Sequence, residues 1–200
     1  MARAPRDAEI ETAPEADCLD GFPHPRHAPR LLGQAEAEAT LAAAFASGHI
    51  HHAWLLVGPT GIGKATLAHR FARFALAPDA RQEGRGSLDV DLAHRSVRPV
   101  LALSHPGLLL IRRPYDLREK RFKASITIDE VRRLREFLGH TSTGASWRVV
   151  IVDPVEDLNN NAANALLKSL EEPPPRTIFL LVCSAPGRLL PTIRSRCRDL

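Results

Sequence analysis

"GPTGIGKATL", residues 58–67, decides the fold because of what lies on either side of it. It directly follows "AWLLV", residues 53–57, an uninterrupted apolar run that is typical of a buried parallel strand. After it, Leu67, Phe71 and Phe74 recur at helical spacing. Strand, glycine-rich loop and helix therefore follow one another in the order that a phosphate-binding loop (P-loop) requires.

Three further apolar runs lie downstream, at residues 108–111, 149–152 and 178–182. Helical patterns at residues 127–139 and 159–175 separate them, and an alanine-rich helix that ends at Gly48 precedes the first strand. Four buried strands that alternate with helices predict an α/β fold with a mostly parallel sheet that is flanked by helices.

Two regions lack this pattern. Residues 1–29 carry five prolines and alternating charges with almost no apolar period, so they are predicted to form a flexible N-terminal tail in front of a P-loop domain. Residues 78–106 contain several Pro, Gly and Ser residues and are predicted to be a surface excursion.

Composition narrows the class of protein. The net charge of +4 and the isoelectric point near 9.3 permit contact with nucleic acid or an acidic partner, but they also fit a solvated surface. Cys18, Cys183 and Cys197 are too scattered for a disulfide framework or a four-thiolate zinc site. Since no apolar run is long enough to span a bilayer, a cytoplasmic protein without a membrane partner is expected.

The P-loop has most of the residues that nucleotide binding requires. Gly58, Gly61 and Gly63 allow the backbone N–H groups to point at phosphates, and Lys64 is placed to reach the β- and γ-phosphates. The next residue normally ligates Mg²⁺ through a hydroxyl, but here it is Ala65. Thr66 is rotated by about 100° around the helix, so at most a contact with an α-phosphate is predicted for it.

A second metal-binding element is predicted in "RVVIVDPVEDL", residues 148–158, where Asp153 ends a strand and would hold Mg²⁺ through water. Many related ATPases have a water-activating Glu at the next position, which is Pro154 here. Glu156 and Asp157 are displaced from that position and are equally explained as the start of a helix. Because two groups are lost from one reaction, an inactive or negligibly active hydrolytic site is predicted.

Two later stretches carry a family resemblance. "NALLKSLEEPP", residues 164–174, and "RSRC", residues 194–197, resemble the clamp-loader branch of the AAA+ ATPases. The resemblance covers roughly residues 22–200 and implies an AAA+ domain over residues 30–200 with a five-stranded sheet, whose fifth strand is cut off at the C-terminus. It also implies that the lid and collar domains of this branch are absent from the chain.

The resemblance assigns roles to two more residues. In this branch the arginine of Ser-Arg-Cys reaches into a neighbouring subunit's ATP site, which implies that Arg196 is an arginine finger in trans. The alternative is an ordinary surface arginine, because Arg194 and Arg198 make the segment basic anyway. Ser184 follows the last strand where the family carries a polar phosphate sensor, although a turn residue explains it equally well.

The implied function is that of a non-hydrolysing clamp-loader subunit that helps load the sliding clamp on primed DNA during replication. The implied partners are ATPase subunits of the gamma/tau type and a delta subunit in a hetero-pentamer, with the clamp and the DNA contacted through the complex. The alternative is an active P-loop ATPase with an unusual magnesium site. Whether ATP or ADP binds, with or without Mg²⁺, stays open at this point.

Family members commonly carry a four-cysteine zinc module after the P-loop helix, but residues 78–106 contain no cysteine, so zinc is not expected. His94 and His105 are expected to be turn or surface residues. The basic stretch "RRPYDLREKRFK", residues 112–123, is compatible with DNA contact, but a solvated loop of mixed charge explains it at least as well.

Overall fold

The four apolar runs all form strands of one parallel sheet, as predicted. The computed structural model describes residues 14–18, 21–82, 87–139 and 146–200. Within these residues the strands are β1 (Ala53–Val57), β2 (Leu108–Ile111), β3 (Tyr115–Asp116), β4 (Arg121–Phe122), β5 (Arg148–Val152), β6 (Thr177–Cys183) and β7 (Arg198–Asp199). The main sheet has five strands in the order β2-β5-β6-β1-β7, all parallel, and β3 and β4 form a separate antiparallel hairpin. The fifth strand is the two-residue β7.

Helices alternate with these strands. They are α1 (Ala35–Ala46), α2 (Lys64–Leu76), α3 (Arg98–Leu101), α4 (Ile128–Gly139), α5 (Asn160–Glu171) and α6 (Pro191–Arg194). The predicted glycine stop of α1 is confirmed, since Gly48 has a φ of 73° and its N–H donates to the Phe45 carbonyl. At the start of α5 the Asn159 side chain accepts a hydrogen bond from the Ala162 N–H, which satisfies one of the unpaired donors there.

The sheet is apolar on both faces because helices cover both. On β1, Trp54 and Leu56 belong to the core layer that contains Leu41 of α1 and Phe71 of α2. Leu55 lies in the opposite layer, which includes buried residues of α4 and α5. This two-sided burial is the reason why the strands appear in the sequence as continuous apolar runs.

The strand register brings three loop starts to one edge of the sheet. Val57 is paired with Cys183, and Val152 is paired with Leu181 of the same strand β6. The Gly58 N–H donates to the Cys183 carbonyl at 3.2 Å, which ties the first glycine of the P-loop to the end of β6. The segments after β1, β5 and β6 therefore begin side by side.

The N-terminal segment differs from the flexible tail predicted for residues 1–29. Residues 1–13 and 19–20 lie outside the described residues, but residues 21–29 pack against α2 and contain a short 3-10 turn, Pro25–His27. Arg73 of α2 is buried and donates hydrogen bonds to the carbonyls of Arg26 and Ala28. Arg112 pairs with Glu15 at 2.7 Å and also with Asp17. The alternating charges thus form specific pairs with the domain.

Residues 78–106 also hold more buried structure than a surface excursion would. Leu88, Val97 and Val100 are buried, and Val97 forms a small cluster with Ala77 and Ala80. These contacts have no sequence period because short turns and α3 provide them, so the pattern did not reveal them. Throughout the described ranges, none of the helices has the length and hydropathy that a bilayer span requires.

The hydrogen bonds of Arg73 generate a prediction about the N-terminal segment. Arg73→Met keeps most of the buried side-chain volume but leaves the Arg26 and Ala28 carbonyls without their donor. Amide hydrogen exchange in residues 21–29 should become faster by about tenfold or more, while exchange in β6 should stay unchanged. Arg132→Met, at an exposed position of α4, serves as the control. Unchanged exchange in residues 21–29 would show that Arg73 does not anchor this segment.

Candidate nucleotide site

The P-loop has the backbone geometry that phosphate binding needs. Gly61 and Gly63 have φ angles of 87° and 99°, a region that residues with side chains rarely adopt. The Leu67 N–H donates to the Gly63 carbonyl at 2.8 Å, so the helical hydrogen bonds of α2 begin there. The N–H groups of the three preceding residues, 64–66, have no acceptor within the helix and lie at its positive end. The loop and the helix together make a cradle for an anion.

Lys64 is fixed by the loop that precedes it. Its Nζ donates to the carbonyls of Gly58 and Pro59, both at 2.7 Å, and the side chain is buried. Burial lowers the pKa of Lys64, while the carboxylates of Asp153 and Glu156 oppose this shift. A positive charge is therefore held at the cradle with little freedom to move.

Asp153 lies at the end of β5, as predicted, and is buried. Burial, with a contribution from the charge of Asp17, raises the pKa of Asp153 to about 7, although Lys64 acts in the opposite direction. Near neutral pH this carboxyl group is therefore close to its midpoint of titration. A bound cation would favour its charged form.

Both displaced carboxylates make contacts of their own, although Glu156 also lines the cleft and its Oε2 has no hydrogen-bond partner among the described residues. Glu156 Oε1 accepts hydrogen bonds from the backbone N–H groups of Ser184 and Ala185, at 2.8 and 3.0 Å. Asp157 Oδ2 lies 2.9 Å from Nε of Arg113. Both belong to a 3-10 turn, Val155–Asp157, and not to the start of α5. Sequence reasoning missed the role of Glu156, because only the strand register shows that it faces the end of β6.

A cleft of about 500 Å³ brings most of the predicted nucleotide residues together. Thr66 and Ser184, both partly exposed, line it together with Ala65 and Pro154. Gly58 lies at the base of the loop, where it accepts from Lys64, and is not part of the cleft wall. The predicted residues that do line the cleft are Gly61, Gly63, Lys64, Thr66, Asp153 and Ser184.

The N-terminal segment also lines the cleft, with Asp17, Cys18 and Phe22 among its residues. Burial alone would raise the pKa of Asp17, but contacts with His24 and Arg112 lower it to about 2. Asp17 therefore stays negatively charged at neutral pH, next to the cleft. Sequence reasoning did not include this part of the cleft, because the alternating charges of the segment show no period.

Asp17, His24 and His69 present ligand atoms within 4.8 Å of one another, but their chemistry does not fit a metal ion. The Arg26 N–H donates to His24 Nδ1 at 3.0 Å, so a neutral His24 carries its proton on Nε2, the atom that lies 3.0 Å from Asp17. The guanidinium of Arg112 is 3.3 Å from the same nitrogen. A nitrogen that carries a proton and faces a cation cannot serve as a metal ligand.

The other predicted histidines hold turns. His94 Nδ1 lies 2.8 Å from Ser96 Oγ, and His105 Nδ1 accepts from the Gly107 N–H at 3.0 Å.

The residues that line the cleft determine which ligands the protein can offer to Mg²⁺. Asp153 supplies one carboxylate, whereas Ala65 supplies no oxygen, so the protein offers a magnesium ion one of the two groups expected.

Arg196 lies apart from this cleft, in the segment between α6 and β7. Its Nη1 donates to the Thr192 carbonyl at 2.7 Å, and its Nη2 donates to Glu171 Oε1 at 2.6 Å. The side chain is 33% exposed. Arg196 therefore does not line its own chain's cleft, and its guanidinium is accessible from outside.

Known proteins resemble this chain over most of its length. A family model described as "DNA polymerase III, delta subunit" matches residues 33–200. The chain belongs to this family. It is 40% identical over 146 residues to the DNA polymerase III subunit delta' of Pseudomonas aeruginosa, a match that covers 73% of the chain and 41% of that relative. The stretch "HHAWLLVGPTGIGKATLAHRFARFAL", residues 51–76, resembles the delta-prime subunit in particular, and this relative confirms that resemblance.

The chain is also similar to a relative with another subunit name. The gamma/tau subunit of Mycobacterium tuberculosis is 34% identical over 169 residues, which cover 83% of the chain and 27% of that relative. The chain thus spans about two fifths or less of the length of these curated relatives. A DNA polymerase III gamma subunit-related protein from Thermotoga maritima, 22% identical, has the same fold with a TM-score of 0.52, covering 84% of the chain and 45% of that structure.

The raised pKa of Asp153 generates a prediction about stability. Because its pKa is about 7 in the folded state and near 3.8 in the unfolded chain, the stabilising protonated form is lost as the pH rises through 7. Asp153→Asn should therefore increase the free energy of unfolding by on the order of 2 kcal/mol at pH 8, and by almost nothing at pH 4. Urea unfolding at both pH values measures this difference.

The control for this experiment is Asp129→Asn, whose side chain is 75% exposed on α4. Its effect should stay within about 0.5 kcal/mol at both pH 8 and pH 4. A destabilised Asp153→Asn protein at pH 8 would mean that the charged carboxylate is a net stabilising group, contrary to its burial.

Proposed function

We propose that this chain is the P-loop domain of a delta-prime-type clamp-loader subunit that does not hydrolyse ATP itself and supplies Arg196 to the ATP site of a neighbouring subunit. One observation carries the proposal. The cleft has Ala65 and Pro154 where a magnesium-ligating hydroxyl and a water-activating carboxylate belong, and Glu156, which also lines the cleft, accepts two backbone hydrogen bonds through Oε1. The cradle is kept, while the groups that would drive hydrolysis are missing.

The chemistry of Arg196 supports the second half of the proposal. A guanidinium next to a γ-phosphate neutralises the charge that develops during transfer, and in related enzymes this is worth about 10³ to 10⁵ in rate. Arg196 is partly exposed and lies outside its own cleft, so a phosphate on an adjoining subunit is accessible to it. The structure of its own cleft gives it no role there.

The relatives support the choice of partners. Because they are named as delta' and gamma/tau subunits of DNA polymerase III, we assign this chain to the polymerase III holoenzyme in the cytoplasm. Its neighbours would be ATPase subunits of the gamma/tau type and a delta subunit in a hetero-pentamer. The sliding clamp and primed DNA would be contacted through that complex during replication.

Direct DNA contact through residues 112–123 is not part of the proposal. Arg112 is paired with Glu15, Arg113 with Asp157, and Arg121 with Glu119, at 2.7, 2.9 and 2.7 Å. The rings of Tyr115 and Phe122 pack against each other across the β3–β4 hairpin, with centroids 5.2 Å apart. These cations and rings are thus engaged within the chain.

A second candidate is an active P-loop ATPase with an unusual magnesium site. Lys64 and Asp153 favour it, since both occupy the places that nucleotide binding requires. The residues that line the cleft would bind the phosphates through the N–H groups of the loop and the ammonium of Lys64. Bound Mg²⁺ would supply charge neutralisation at the phosphates, with Asp153 as its protein ligand.

Arg196→Ala tests the proposed finger. In an assembled clamp loader in which only the neighbouring site keeps its P-loop lysine, single-turnover ATP hydrolysis should fall by about 10²-fold or more. The matched control is Arg194→Ala, because Arg194 is in the same basic segment but pairs with Asp199 at 2.8 Å. The control should hydrolyse ATP at the original rate. An unchanged rate in the Arg196→Ala complex would exclude the finger.

ATP turnover by the isolated full-length protein separates the two candidates. We expect no hydrolysis above background, with or without Mg²⁺, because the hydroxyl and the carboxylate are missing. The ATPase candidate instead requires Mg²⁺-dependent turnover that disappears in Lys64→Ala. A phosphate-release assay with contaminating ATPases excluded by that variant decides between them.

A further inference from the structure

The two stretches that carry the family resemblance touch each other through one ion pair. Glu171 is the last residue of α5, and Arg196 follows α6. The distance between Glu171 Oε1 and Arg196 Nη2 is 2.6 Å. The Thr192 carbonyl holds the other terminal nitrogen of the same guanidinium at 2.7 Å.

The position of Glu171 is unfavourable for its own helix. The C-terminal end of a helix carries partial negative charge, so an acidic residue there is destabilising, and α5 ends with Glu171 followed directly by Glu172. Lys168 is the basic residue in the last turn. Glu171 has a contact that offsets this cost, its ion pair with Arg196, whereas Glu172 has no ion pair within the described residues.

The contacts leave the guanidinium able to act on a ligand. Arginine has five N–H donors in a rigid fork, and the two short hydrogen bonds to Glu171 and Thr192, with a long one to Ser195 Oγ at 3.5 Å, use three of them. The remaining donors and the exposed third of the side chain stay available to phosphate oxygens. Two anchors on different terminal nitrogens also restrict the rotamers of a long and otherwise mobile side chain.

We propose that Glu171 is a positioning residue for Arg196: it fixes the direction of the guanidinium before the neighbouring ATP site closes on it. This inference rests on the proposed function, because it assigns to Glu171 a share in the same trans reaction. The contribution is orientation, since a preset side chain loses less freedom on reaching the phosphate. The ion pair is half-exposed and adds little to the stability of the fold.

The experiment uses the full-length protein assembled into the clamp loader described above. Glu171→Gln keeps the size of the side chain and removes its charge, and Glu172→Gln makes the same change one residue further, at an exposed side chain that forms no ion pair within the described residues. Single-turnover hydrolysis at the neighbouring site is measured over a range of ATP concentrations. Arg196→Ala and the double variant Glu171→Gln/Arg196→Ala complete the set.

We expect Glu171→Gln to lower the maximal rate by about two- to fivefold, with the half-saturating ATP concentration and the melting temperature unchanged. Glu172→Gln should match the original protein, Glu171→Asp should recover part of the rate, and the double variant should equal Arg196→Ala because both changes act through one group.

Three outcomes would overturn the inference while leaving the finger itself intact: Arg196→Ala slows hydrolysis but Glu171→Gln does not; Glu171→Gln and Glu172→Gln slow it equally; or Glu171→Gln speeds it up, which would make the pair a restraint. If Arg196→Ala has no effect, the proposed function fails first. The two failures are therefore distinguishable.

Discussion

The parallel register of β1, β5 and β6 is the constraint on which the rest of the structure depends. Since Val57 pairs with Cys183 and Val152 with Leu181, the three strands end at nearly the same level. The P-loop, Asp153 and Ser184 follow these ends directly, so they meet in one cleft although they are far apart in the sequence. A shift of one residue in any strand would turn its core side chains to the other face and separate these groups.

Contacts within the chain engage several of the polar groups at the cleft. Lys64 is held by two loop carbonyls, and the N–H groups of Ser184 and Ala185 are held by Glu156. Glu156 Oε1 thus holds the backbone just after β6. Asp153 is the exception, since its burial opposes its charge.

Local sequence patterns predicted the sheet. The parts of the structure that depend on contacts between residues far apart in the sequence could not be predicted in this way. The runs at β1, β5 and β6 are unambiguous because both faces of the sheet are buried, and the glycines of the P-loop have a direct backbone requirement. The packing of the N-terminal segment was missed, since Glu15 pairs with Arg112 far along the chain. The contact between Glu171 and Arg196 was also invisible, because each belongs to a motif that is recognised separately.

The short strand β7 connects the segment that contains Arg196 to β1, the strand that precedes the P-loop. The Leu200 N–H donates to the Leu55 carbonyl and the Val57 N–H donates to the Leu200 carbonyl, both at 2.9 Å. The chain just after Arg196 is therefore hydrogen-bonded to the strand that leads into the loop. The segment that carries Arg196 and the P-loop are therefore connected through neighbouring strands of one sheet, with only one residue, Cys197, between Arg196 and the start of β7.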